Sequence, residues 1–118
     1  MAEYALFIGW GPSRVGREAA AARLFAESIA YWNRLKDAGE IESIETVILS
    51  PHGGDLTGFA LLRGAPDKLA RISMAPETQA LTMRVQLCRD GVGVVPAVVD
   101  EGVARAMQAW TQAVSEMA

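Results

Sequence analysis

The only histidine of the chain, His52, stands in the run Pro51-His-Gly-Gly-Asp55, with a carboxylate three residues on. Imidazole changes charge near neutral pH, and a neighbouring carboxylate orients the ring and fixes its tautomer. His52 and Asp55 are therefore the candidate catalytic acid/base pair. The same residues also suit a tight turn, since Gly53 and Gly54 supply positive φ and Asp bonds its own backbone. The single cysteine, Cys88, has no sequence-local base to activate it and reads as a small buried hydrophobe. One histidine and one distant cysteine offer no metal-ligand set, so no metal and no cofactor is expected.

Gly11-Pro-Ser-Arg-Val-Gly16-Arg17-Glu18 falls between two apolar segments and has the outline of a phosphate loop. It departs from one where the chemistry lies. Arg17 stands for the lysine, and Glu18 puts a negative charge where a hydroxyl would hold Mg²⁺. A turn feeding a helix is the expectation. The better small-molecule candidate is aromatic: Trp10, Tyr31, Trp32 and Phe59 are expected to meet between the first helix and the sheet. Their apolar bodies and polar tips suit a half-open pocket, with Arg63 and Arg84 bringing charge to its rim.

The elements that must position these residues follow from periodicity. Tyr4–Trp10 is a short apolar run ended by Gly11-Pro12 and reads as a buried strand. From Arg17 to Ala38, Phe25, Ile29 and Trp32 recur at helical spacing beside Leu24, Ser28, Tyr31 and Leu35, and Gly39 supplies the stop. Ile41–Ser50 alternates as a strand and pairs through the Pro51–Asp55 turn with Thr57–Arg63. A short helix with Leu69 and Ile72 inward follows. Pro76–Cys88 fits two patterns: Leu81, Met83, Val85 and Leu87 alternate as in a strand, while Leu81, Val85 and Cys88 share a helical face. Pro76 at a first helical position and Glu77 beside it favour the helix. The Val-rich run Val92–Val99 is the fourth strand, and Pro96 confines it to an edge or a bulge. Asp100 is the expected N-cap of a last amphipathic helix carrying Val103, Met107, Trp110, Val114 and Met117.

The order is β-α-β-β-α-β plus one helix: an α+β, ferredoxin-like fold with one four-stranded antiparallel sheet and its helices on one face. Residues 1–118 read as one domain, with 100–118 a helical extension. This order, the broken second helix (Asp67–Ile72, then Pro76–Cys88) and the Val-rich last strand resemble the dimeric α/β-barrel superfamily over residues 4–99. That group includes antibiotic-biosynthesis-type monooxygenases and stress-responsive barrel proteins. The resemblance implies two sheets packed face to face in a homodimer. The apolar character of both strand faces independently asks for a cover on the second face, from a second copy or from the last helix.

Of the 118 residues, 51% are hydrophobic and 21% charged, a globular balance, with a net charge of −3. No basic stripe points to nucleic acid, and no apolar run approaches the roughly 20 residues that a membrane helix requires. One cysteine and an N-terminus without a signal-like pattern lead to the expectation of a cytoplasmic protein. Two functions remain open: a homodimer that binds a small, aromatic molecule, or a cofactor-independent monooxygenase or isomerase with His52 as its acid/base.

Overall fold

The computed structural model describes residues 2–118. In chain order the elements are β1 (Tyr4–Trp10), α1 (Glu18–Asp37), β2 (Ser43–Ile48), β3 (Gly58–Gly64), α2 (Pro66–Met74), α3 (Pro76–Gln86), β4 (Gly93–Val98) and α4 (Glu101–Met117). The four strands form one sheet in the order β2-β3-β1-β4, every neighbouring pair antiparallel. This is the ferredoxin-like fold with an added last helix. Pro96 is tolerated because β4 has β1 as its sole neighbour, so one side of the strand needs no ladder partner.

Alternation along the strands divides the sheet into two faces. Leu6, Ile8 and Trp10 of β1 lie beside Ala60 and Leu62 of β3, and this face packs on Tyr31 and Trp32 of α1, Leu69 and Ile72 of α2 and Leu81 of α3. The other face carries Phe7, Phe59, Leu61 and Val47, with Arg63 toward one end. No helix covers this outer face. Its largest contact is within the sheet itself, Phe7 stacked on Phe59 at 5.4 Å between ring centres.

The segment with two sequence patterns is helical. Thr78, Leu81 and Cys88 are buried, whereas Met83 and Leu87, which a strand would have placed beside Leu81, are exposed. Ala75, extended between Pro66–Met74 and Pro76–Gln86, breaks the second helix of the fold into α2 and α3.

α4 departs from expectation at its N-cap. Asp100 makes no side-chain cap; its carboxylate accepts a hydrogen bond from Arg63 Nε at 3.2 Å instead. The apolar stripe of α4 does not fold back over the outer face of its own sheet. Gly102 is buried against Glu3, and every residue from Met107 to Ala118 is exposed. The radius of gyration is accordingly 16.0 Å, against about 13–14 Å for a compact chain of this length.

One close approach in the sheet shapes the core. A Cβ at Gly58 would lie 2.7 Å from the Val47 carbonyl oxygen and 2.8 Å from the Trp10 ring, so glycine lets the indole lie flat on the strand. Gly58→Ala is expected to cost about 1–3 kcal/mol as Trp10 is pushed off. Urea unfolding would read this as a lower midpoint at unchanged slope.

Candidate functional site

The helix-covered face holds a hollow between α1, α3, β1 and the start of β4. Trp10, Phe25, Tyr31, Trp32, Leu81 and Val85 form much of its wall. Its enclosed free volume is about 50 Å³, within a hollow of about 620 Å³ measured out through its open mouth.

Each wall residue is placed by its element. Trp10 closes β1 and meets Phe25 of α1 edge-on at 5.7 Å. Tyr31 and Trp32 follow about two turns later on the inward face of α1, where the Ser28 hydroxyl donates to the Leu24 carbonyl oxygen at 2.8 Å. Thr78, Leu81, Val85 and Cys88 recur at helical spacing along and just beyond α3. The Tyr31 hydroxyl and Thr78 Oγ1 are hydrogen-bonded at 2.7 Å in the buried interior. This is the one buried side-chain bond joining α1 to α3 among the described residues. At the surface, Arg34 pairs with Glu77 at 2.6 Å and Arg84 with Glu27 at 2.8 Å. Such exposed pairs contribute about 0–1 kcal/mol each, so the buried bond fixes the register of the two helices.

One charged side chain lines the hollow. Arg89, just after α3, donates from Nη1 to the Gly11 carbonyl oxygen at 3.0 Å. No carboxylate pairs with it among the described residues, although Arg14, Arg34, Arg63, Arg71, Arg84 and Arg105 all have acidic partners. The other guanidinium nitrogens of Arg89 donate no side-chain hydrogen bond to the protein among the described residues. Thr78 and Arg89 were not singled out from sequence. Thr78 shares the helical phase of Leu81, Val85 and Cys88 and was legible there; Arg89 carries no local signal, because a loop carbonyl distant in sequence places it.

Trp10, Tyr31 and Trp32 come together in the hollow as expected. Phe59 and Arg63 do not. Both lie on the outer face, since β3 turns Ala60 and Leu62 toward the helices. Arg63 is bonded there to Glu45 at 2.9 Å and to Asp100. The hydrogen bond to Glu45 first, and Asp100 with it, raise the guanidinium's pKa above its ordinary value despite some desolvation, so Arg63 stays charged. Arg84 is taken up by Glu27 outside the hollow.

His52 is exposed at the β2–β3 turn, and both of its ring nitrogens are engaged within that turn. Nδ1 accepts from the Gly54 N–H at 3.2 Å, and Nε2 lies 2.8 Å from the Leu56 carbonyl oxygen. The two bonds together select the neutral tautomer with its proton on Nε2. Asp55 makes neither hydrogen bond nor ion pair with His52 among the described residues, and neither residue lines the hollow. The phosphate-loop outline is also closed: Glu18 Oε1 accepts from the Gly16 N–H at 2.9 Å, so the chain's own carboxylate occupies the helix N-terminus.

Solved structures share this architecture at low sequence identity. A protein of unknown function from Nitrosomonas europaea is 15% identical, with a TM-score of 0.60 over 84% of this chain and 90% of that one. A dimeric protein of unknown function with a ferredoxin-like fold from Bacteroides fragilis is 16% identical, with a TM-score of 0.54 over 81% and 96%. A variant of SnoaB, a cofactor-independent oxygenase from Streptomyces nogalater, is 14% identical, with a TM-score of 0.56 over 84% and 93%. The chain has the ferredoxin-like fold of these proteins. The likeness is one of fold and includes proteins of the antibiotic-biosynthesis-monooxygenase type. No protein-family model and no curated protein matches the sequence.

The buried Tyr31–Thr78 bond yields a double-mutant prediction. Thr78→Val leaves the tyrosine hydroxyl buried without its partner and should cost about 1–3 kcal/mol; adding Tyr31→Phe should recover most of that loss, because apolar replacement of both partners is nearly neutral. Equilibrium unfolding of the two single variants and the double variant measures the cycle.

Proposed function

We propose that this protein is a small homodimer that binds an aromatic, anionic small molecule in the hollow between α1, α3 and the sheet. The observation that carries this reading is the unpaired Arg89 guanidinium on an otherwise apolar, aromatic wall. Apolar surface supplies affinity without orientation, and one charge-assisted hydrogen bond supplies orientation. A carboxylate or phenolate on a flat ring meets both demands. The bare outer face supports the dimer, as does the dimeric state of the similar Bacteroides fragilis protein. A net charge of −3 and a single buried cysteine support a cytoplasmic protein that does not bind nucleic acid.

Thermal shift with a panel of benzoates, naphthoates and phenols tests the site. At about 100 times its dissociation constant, a true ligand stabilises by about 2.7 kcal/mol, a rise in Tm of roughly 10 °C. Arg89→Gln should weaken that ligand about 10- to 100-fold, the loss of one charge-assisted bond. No shift for any compound, or an unchanged dissociation constant in the variant, would overturn the assignment.

The likeness to SnoaB and to a monooxygenase-type protein from Chloroflexus aurantiacus favours a second reading, an oxygenase without a cofactor. In that case the bound molecule supplies the reactivity, and His52 with Asp55 is the proposed acid/base. The engagement of both His52 nitrogens within their own turn favours binding alone. His52→Ala is then expected to leave affinity within a few fold and stability within about 1 kcal/mol. Abolished turnover of a bound compound, with affinity retained, would instead establish the oxygenase.

A further inference from the structure

We infer that α4 is an arm that grips a second copy of this chain, and that its stripe Val103, Met107, Trp110, Val114 and Met117 is buried only there. The inference rests on the homodimer proposed above and extends it to a specific surface. The five side chains recur along one face of α4, yet they are 47%, 55%, 64%, 52% and 86% exposed. Scattered apolar side chains are ordinary on a surface, but a continuous stripe on the order of 500 Å² is as large as the largest patch of a typical monomer. Val95 of the outer sheet face is also 48% exposed.

The arm is anchored so that it leaves the body rather than folding back. Its first turn is pinned: Gly102 lies so close to the Glu3 carbonyl that a Cβ there would clash, and Arg105 pairs with Glu3 at 2.7 Å. At the joint, Asp100 has φ 52° and ψ −127°, the one non-glycine residue with positive φ among those described. Such a backbone persists only when its surroundings hold it, and here Arg63, on the outer face, holds the Asp100 carboxylate. The direction of α4 is thus tied to the outer face.

A second copy is the occupant that fits this arrangement. A stable interface buries about 800 Å² per partner. On the outer face Phe7, Phe59, Leu61 and Val47 are partly covered within one chain. The exposed stripe of α4 adds apolar area that a second copy docked on the sheet covers by meeting the arm as well. The polar side of the helix, with Gln108, Gln112 and Glu116, remains for solvent.

Sedimentation equilibrium of the full chain and of the variant Met107→Glu/Trp110→Glu tests the arm. Both substituted positions are exposed within one chain, and Glu is a good helix former, so circular dichroism should be unchanged. The parent is expected to be a dimer, and the variant's dimer dissociation constant is expected to rise at least 100-fold. A second variant, Val95→Glu on the outer face, separates the two proposals. If Val95→Glu releases monomers and the arm variant remains as tight a dimer as the parent, the sheet-face dimer stands and the arm is overturned. A parent chain that is monomeric at micromolar concentration overturns both, while aromatic binding in the hollow is read independently by the thermal shift.

Discussion

The structure depends on the one-sided cover of its sheet. Three helices, α1, α2 and α3, fit on a four-stranded sheet, and all three lie on one face because α1 carries the chain from β1 to the parallel β2, and α2 with α3 from β3 to the parallel β4, each crossing over one intervening strand with the same hand. The covered face becomes the core and holds Leu62 and Ala60 free of any solvent contact. The same constraint leaves Phe7, Phe59 and Val95 on a face that no element of the chain reaches. A hollow on one side and an apolar surface on the other are thus two consequences of one topology.

On the covered side, core and site are continuous. Trp10 lies on Gly58, Phe25 stands edge-on to Trp10, and Tyr31 closes the wall by its bond to Thr78. The space left between α1 and α3 is a product of how those two helices are spaced. The broken second helix contributes to this, because the extended Ala75 between α2 and α3 lets α3 lean on α1 independently of α2. Arg89 then follows α3 and is drawn to the Gly11 carbonyl, which brings a cation to the edge of an aromatic wall. The polar groups within the wall, Ser28, Thr78 and Thr82, are bonded to protein partners, which leaves Arg89 as the wall's charged group among the described residues.

The order of elements was legible in the sequence because each apolar run had the length and punctuation of its element. Helical phase separated Leu81 and Cys88 from Met83 and Leu87 once packing was known, but both patterns fitted the bare sequence. The face of β3 was misjudged for Phe59. Both faces of that strand are apolar, so its sequence does not say which one meets the helices; the sheet places Ala60 and Leu62 there and Phe59 on the other face. Arg63 shares the parity of Phe59 and was the available sign that this side is the outer one. The pairing of His52 with Asp55 was inferred from spacing alone, whereas the turn bends the imidazole onto Gly54 and Leu56. The stripe of α4 was read correctly as amphipathic, but no local pattern tells a helix packed on its own chain from one that is not.

The central claim is that the two faces have different occupants, a small anion on the helical side and protein on the other. Two-dimensional amide NMR of the full chain, titrated with 2-naphthoate, tests it most directly. The account predicts shifts confined to the hollow, at Trp10, Tyr31, Trp32, Thr78 and Arg89, with Phe7, Phe59 and Val95 unmoved. Shifts centred on Phe7, Phe59 and Val95, with the hollow silent, would contradict it.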